Sequence, residues 1–404
     1  MLLSFMLKVK QISVRSACSM LICTAWFAEA ASIELWHSHQ AHNFIELRAK
    51  QFEKLTGHPV RVVAYDSEKF KAELLLSAAT GNLPDMIFVP SDYLGLYEEL
   101  KLMPIDEEIA QLDIEEKALD TVTIDGKFWG VPIIQGNHLL LYYNKELVKN
   151  PANSWDELVN QKKYKFPEYN SVVGMNYNAM YWFVSFLGAY GGAPLDGGVI
   201  TLDTPAMRKA LQMYKRLATE KILNSACLYE CAFDDFVAHQ YPYAINGDWA
   251  YSALKTKMGD KLGLATLPEL SIGPLRSMSA THALAYPNVR INPEHHQKRH
   301  QFHRFLLSEK TQLDNYERFH LLPVNSSVMK QVTQNSKGDS NTILKQFEGS
   351  VAMPSSVQMA IAWQAIAQGF IRFSEQNYSA QEAATYMQNL ADRELNKIMR
   401  HKEL

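Results

Sequence analysis

An α/β fold in two units is predicted by this sequence, and three observations carry the prediction. Beyond residue 31, short apolar stretches alternate with amphipathic ones in the order strand, helix, strand, helix, strand. Such a start builds a parallel sheet with right-handed crossovers. The roughly 370 residues that follow the first thirty-one exceed what one hydrophobic core usually serves, so two domains are expected. Further on, Tyr243-Ala244-Ile245-Asn246-Gly247-Asp248-Trp249-Ala250 reads as a buried strand, a glycine turn and a helix start. Gly247 would permit the turn and Asp248 would cap the helix. In an open α/β sheet that place faces the crevice where ligands bind. Trp249 there either offers a flat ring to a ligand or fills the core. Trp249, Leu254 and Met258 fall on one helical stripe.

The leader comes first. Residues 1–31 have the form of a secretory signal, with Lys8, Lys10 and Arg15 ahead of an apolar run at 17–27. That run is too short to span a bilayer. Ala28-Glu29-Ala30 has the small-x-small shape of a cleavage site, and Met6 is an alternative start. No later stretch has the length and apolarity of a membrane helix, so the expectation is a soluble protein exported to the periplasm. Cys18 and Cys23 would leave with the leader, and a bulky Ile22 before Cys23 argues against a lipoprotein. Cys227 and Cys231 remain, either bridged or as two free thiols, and an oxidising compartment favours the bridge.

Along the chain, residues 32–36 form the first strand, followed by the loop His37-Ser38-His39-Gln40-Ala41-His42-Asn43. Residues 44–55 form an amphipathic helix with Phe44, Leu47, Phe52 and Leu55 on its apolar side, closed by Gly57. A strand at 60–65, a helix at 68–80 ended by Gly81, and a strand at 84–89 complete the unit. The carboxyl ends of these strands carry His37 to His42, Asp66 and Ser91-Asp92-Tyr93, which converge on one crevice in such a sheet. Asp92 either caps the helix that starts near Tyr93 or accepts hydrogen bonds from ligand hydroxyls. Asp125-Gly126-Lys127 is a hairpin turn. Apolar strands at 133–135 and 139–143 are broken by Gly136 and Asn137, as a crossing between domains requires, and Glu146-Leu147 starts a helix. Ser154 and Thr204 have the look of N-caps. The stretch 177–192 is rich in aromatics, with Tyr181 and Trp182 near its helical start. A mixed helical run covers 233–240, strands cover 262–266 and 280–286, a helix covers 293–307, and 321–324 is a loop. A closing helix carries Met359, Trp363, Ile366 and Phe370 on one stripe.

Five ordered pieces of this chain make it resemble the periplasmic solute-binding proteins of ABC importers, the cluster that includes the maltose/maltodextrin-binding proteins. They are Phe52-Glu53-Lys54-Leu55-Thr56-Gly57, Ala78-Ala79-Thr80-Gly81-Asn82-Leu83-Pro84-Asp85-Met86-Ile87-Phe88, Tyr143-Asn144-Lys145, Ile245-Asn246-Gly247-Asp248-Trp249-Ala250 and Met353-Pro354. The resemblance implies two doubly wound α/β lobes joined by a hinge, the type II-like binding-protein fold. On that reading lobe 1 is 32–136 plus 284–326, and lobe 2 is 137–283 plus 327–404. It also implies a carbohydrate held in the cleft, closure on binding, and docking to the transmembrane subunits of a permease. The site residues it implies are His39, Gln40, Glu68, Asp92, Tyr181, Trp182, Trp249 and Trp363. A monomer without cofactor or bound metal is expected. Departures touch the identity of the sugar. Maltodextrin binders carry an acidic-basic pair where this chain has His39-Gln40, a tryptophan where it has Val89, Asp-Arg where it has Asp92-Tyr93, and an aromatic at Gln364.

These residue types suit a sugar. Its rim of hydroxyls needs donors and acceptors, which Asp, Gln and Tyr provide, and its C–H faces need flat apolar rings. Rival readings start from other residues. His37, His39 and His42 in one loop suit a metal importer component, although no thiolate or carboxylate cluster accompanies them. His296, His300 and His303, with His295 beside them, read as the solvated face of a surface helix. A glycoside-acting enzyme needs two carboxylates a set distance apart, whereas Asp234 and Asp235 are adjacent and point apart on a helix. The net charge of −3 argues against a nucleic-acid partner.

Overall fold

Two sheets organise the computed structural model of the chain, which describes residues 32–38, 42–67, 69–288 and 293–402. The leader at 1–31 and the expected site residues His39, Gln40 and Glu68 lie outside the described residues. The larger sheet runs Leu322–Pro323, Val131–Gly136, Met278–Ala285, Met86–Pro90, Ile33–His37, Val60–Ala64, with Val351–Ala352 beside Met278–Ala285. Ile33–His37 pairs in parallel with both of its neighbours, as the opening strand–helix alternation predicts. Met278–Ala285 is antiparallel to the strands on either side. The smaller sheet runs Leu262–Ala265, Leu139–Asn144, Tyr243–Gly247, Val173–Gly174.

The central strands of each sheet are buried on both faces, and the unbroken apolar runs are the reason. Successive side chains on a strand point to opposite faces, so a run without polar alternation supplies two cores. Met86 and Phe88 join one core with Phe44, Phe52 and Phe302, whereas Ile87 and Val89 join another with Phe70 and Leu74. Leu139, Leu141, Tyr243 and Ile245 face a third core. Leu140, Tyr142 and Ala244 face a fourth.

The chain passes between the sheets at Gly136-Asn137-His138. Gly136 has φ 123° and Asn137 φ 53°, conformations open to glycine and tolerated by asparagine. A Cβ at Gly136 would also lie 2.0 Å from Asp248 Oδ2. Met278–Ala285 pairs along most of its length with the larger sheet. The chain leaves that sheet again after Leu322–Pro323, where the Asn325 side chain caps helix Ser326–Asn335 by accepting from Val328 N–H.

Several local signals are realised. Gly81 closes helix Phe70–Thr80 with φ 74°, and Asp125 and Gly126 both have positive φ in the hairpin. Ser154 and Thr204 accept from the third residue of their helices. Cys227 and Cys231 are joined by a disulfide, their Cα atoms 5.7 Å apart. Other expectations are corrected. Leu55 is 72 % exposed, because helix His42–Thr56 turns that last position away from the core. Residues 145–147 form a turn rather than a helix start. Of the 233–240 run only Asp234–Val237 is helical, and Phe233 separates it from a preceding short helix, Tyr229–Ala232. The expected loop at 321–324 contributes Leu322–Pro323 to the larger sheet. Helix Val357–Glu375 does not close the chain, since Ala380–Lys402 follows and packs against it.

Candidate functional site: the cleft between the sheets

Tyr181 is the centre of the cleft. It sits in the first turn of helix Met180–Ala189, and its ring centroid lies 6.2 Å from each of Trp182, Trp249 and Trp363. Its hydroxyl bonds to the Asn137 carbonyl and, at 3.0 Å, to that of Met278. The ring is therefore fastened to both segments that pass between the sheets.

Trp249 follows strand Tyr243–Gly247 in the short 3-10 turn Asp248–Ala250. The sequence-based role for Gly247 is corrected here. Its backbone is extended, with φ −83° and ψ 167°, so it makes no turn that only glycine could make. It makes room instead: a Cβ there would lie 2.0–2.2 Å from three carbons of the Trp249 ring. Gly247→Ala is accordingly expected to push the indole out of place and to destabilise the protein by about 1–3 kcal/mol. A melting temperature and tryptophan emission equal to those of the parent would contradict this. The ring is held from the other side by its N–H, which donates to Tyr229 Oη at 3.2 Å. Trp182 is more deeply placed, 6 % exposed, with its N–H donated to the Ile245 carbonyl at 2.8 Å.

Asp92 lies not at a helix cap but inside the 3-10 turn Ser91–Leu96, and Pro90 precedes it. Gly95 in that turn touches the start of helix Val357–Glu375 so closely that a Cβ would be 2.4 Å from the Ser356 carbonyl carbon. This approach brings Asp92 to Trp363. Burial raises the Asp92 carboxyl above its ordinary value, while Lys71 and the Trp363 indole favour the charged form. Lys71 Nζ is 3.8 Å from Asp92 Oδ2 and 4.3 Å from the centre of the Tyr93 ring.

Asp248 also differs from its expected role. Its side chain caps no helix; Oδ2 accepts from Asn137 N–H at 3.1 Å and lies 3.4 Å from His138 Nδ1. Burial pushes its carboxyl up to about 7, and the backbone N–H groups of Asn137, Trp249 and His138 limit the rise. Burial pushes His138 down to about 3, so this pair is not an ion pair at neutral pH.

Two adjoining cavities of about 430 and 250 Å³ open among these groups. Lys71, Asp92, Trp363 and Met353 line the larger; Trp182, Tyr229, Trp249 and His282 line the smaller; Tyr93, Asn137 and Tyr181 line both. A third cavity, of about 830 Å³, is lined by Ser279, Ala280 and Thr281 rather than His282, and shares Met353 with the larger cleft cavity. It has one aromatic ring, Phe347, in its lining. The aromatic cleft is the better candidate because flat rings and convergent polar groups meet there. The structure thus brings together Asp92, Tyr181, Trp182, Trp249 and Trp363. Sequence reasoning placed Tyr93 at the crevice without counting it among the site residues, and it missed Lys71 and Tyr229. Lys71 and Tyr229 lie on elements whose orientation no local pattern reveals.

Comparison with known proteins decides the family. Residues 48–341 match the family described as bacterial extracellular solute-binding protein. The chain belongs to that family. Among curated relatives, the solute-binding protein is 24 % identical over 365 residues to a maltooligosaccharide ABC transporter solute-binding lipoprotein of Streptococcus pneumoniae, covering 83 % of this chain and 82 % of the relative. It is 24 % identical to the maltodextrin-binding protein MdxE of Bacillus subtilis, with 79 % of each covered. It is 20 % identical to the galactooligosaccharide-binding protein of the same organism, with 83 % of each covered. In three dimensions it is similar to the maltose/maltodextrin-binding domain MalE of Bdellovibrio bacteriovorus bound to maltotriose. The TM-score is 0.81 at 22 % identity, over 91 % of this chain and all of the other. The solute-binding protein therefore has the two-lobed, hinged binding-protein fold that its sequence resembles. Among its described residues, no helix is long and apolar enough to cross a membrane.

Proposed function

We propose that this protein is the periplasmic substrate-binding component of an ABC importer, exported by the leader at 1–31, and that it holds a sugar or oligosaccharide in the cleft and delivers it to a membrane permease. The observation that carries the proposal is the ring cluster of Tyr181, Trp249 and Trp363 beside Asp92 and Lys71. Rings take the C–H faces of a sugar, and the charged pair takes its hydroxyls. The relatives named for maltooligosaccharides, maltodextrin and galactooligosaccharides support the ligand class. His39, Gln40 and Glu68 belong to the same proposal, carried by the resemblance.

In place of the sequence-based bounds 284–326 and 137–283, the lobes are proposed at 32–136 plus 278–326 and 137–277 plus 327–404, because the whole strand Met278–Ala285 pairs within the larger sheet. The protein works as a monomer without cofactor and without nucleic acid. A binder, not a hydrolase, fits the acids of the cleft: Asp92 faces Lys71, and Asp248 is taken up by backbone amides. The readings as a metal or polar-solute carrier, or as a glycoside-acting enzyme, are outcomes of the same test. In a thermal-shift screen against mono- and oligosaccharides, polyols, amino acids and zinc, a ligand at 100 times its Kd adds about 2.7 kcal/mol of stability. Saccharides alone are expected to raise the melting temperature through the cleft. A response to amino acids or polyols alone would overturn the proposal, and so would shortened oligosaccharides after incubation.

A further inference from the structure

Helix Pro293–Leu307 is not the plain solvated face that its histidines suggest. His295 and His303 are buried: His295 Nδ1 lies 2.8 Å from Asp85 Oδ1, and His303 Nδ1 lies 2.7 Å from Tyr286 Oη. Only His296 and His300 of the four open outward. They stand four residues apart, hence on one face of the helix. Their ring centroids are 4.4 Å apart. Asp106, on the segment before the short turn Glu107–Gln111, faces them from a different part of the chain.

We propose that Asp106, His296 and His300 form a binding site for a divalent transition-metal ion of the zinc class, outside the cleft. One ligand atom from each residue lies within 4.8 Å of the other two. Asp106 Oδ2 and His300 Nε2 are already 3.5 Å apart. Two ligands at zinc bond lengths of 2.0–2.1 Å in a tetrahedron stand about 3.4 Å apart, so this edge is almost formed. His296 needs a side-chain adjustment of about 1 Å, which an exposed side chain makes easily. Two imidazoles and a carboxylate, with a fourth position left to water, suit zinc, and nickel or copper by the general order of affinity. They do not suit magnesium or calcium, which prefer oxygen donors.

The surroundings support this. His303 lies behind His300, with centroids 5.0 Å apart, and is itself fixed by Tyr286. The nearby cations are engaged elsewhere: Arg304 with Glu108 at 2.8 Å, Arg299 with the Asp85 carbonyl at 3.3 Å. None of the three ligands lines a cleft cavity. The ion would tie the segment at Asp106 to the helix and stiffen the lobe that carries the larger sheet, whatever the cleft holds.

The test is a calorimetric titration of the purified, chelator-treated protein with Zn²⁺, and with Co²⁺ followed by its visible absorption. One equivalent is expected to bind and to raise the melting temperature. His300→Gln and Asp106→Asn should each weaken binding by at least about tenfold, since even outer partners of a metal are worth ~10–100-fold. His239→Gln, remote from the site, should bind as the parent does. Circular dichroism confirms that each variant folds. Affinity weaker than about 1 mM, or a His296→Gln/His300→Gln double variant with the parent's isotherm, overturns the proposal.

Discussion

Trp363→Ala is expected to weaken saccharide binding by about 10–100-fold, measured by calorimetry, with far-ultraviolet circular dichroism unchanged. Trp363 is half-buried on helix Val357–Glu375, lines the larger cleft cavity and lies tilted against Tyr181. A ring that anchors a ligand at the centre of a desolvated site is typically worth 2 kcal/mol or more, which is ~30-fold in Kd. Truncation also removes the indole that favours the charged Asp92, so a hydroxyl acceptor changes together with the platform. The neighbouring Trp249 is a less clean probe, because it packs against the cores on both sides of the smaller sheet and its loss would also cost stability. Trp363→Phe keeps a flat face and should retain more affinity than the alanine variant. Equal affinities for parent and alanine variant would show that no sugar rests on this ring.

Asp248→Asn is expected to change how stability depends on pH. The native carboxyl is raised to about 7, against 3.8 in the unfolded chain, chiefly by burial. A raised acid is favoured in its protonated form by the folded state, so its contribution is full below about pH 4 and is lost as pH rises towards 7. The shift bounds that loss at roughly 4 kcal/mol. The groups around it do not titrate in this window: His138 is pushed down to about 3, and Tyr142 and Tyr181 are pushed up by burial. His138 Nε2 meets the Ile343 carbonyl at 3.0 Å and must donate to it, which leaves Nδ1 as an acceptor towards Asp248. A protonated acid, or an amide, can donate to that nitrogen, and a carboxylate cannot. The melting temperature of the variant minus that of the parent should therefore grow between pH 4 and 7 and level off above. Parallel curves, with the same offset between variant and parent at every pH, would refute this account.

Much of the fold is legible in the residues because its signals are local. Unbroken apolar runs at 86–89 and 139–143 announce strands covered on both faces, and they are. Gly57, Gly81, Ser154 and Thr204 end or begin helices for reasons contained within four residues. The Gly136-Asn137 break reads as a crossing, because positive φ in succession ends a strand. The short strand Leu322–Pro323 was not legible, since two residues acquire that state only by pairing with Ile134 and Gln135 far away in sequence. Leu55 failed for a related reason: periodicity gives a helix face, but the neighbours decide where that face ends.

The residues by themselves determined the α/β elements, the passage between two sheets and the aromatic set from which a ligand platform could be drawn. Only tertiary structure decided which of those groups meet. Asp92 reaches Trp363 because Gly95 lets a turn lie against Ser356 with no side chain between them. Asp248 serves the crossing instead of a helix cap because Asn137 and His138 arrive beside it from another sheet. Short-range signals are set by covalent neighbours, whereas a cleft is set by close approach between segments hundreds of residues apart, and the chain carries no local mark of that distance.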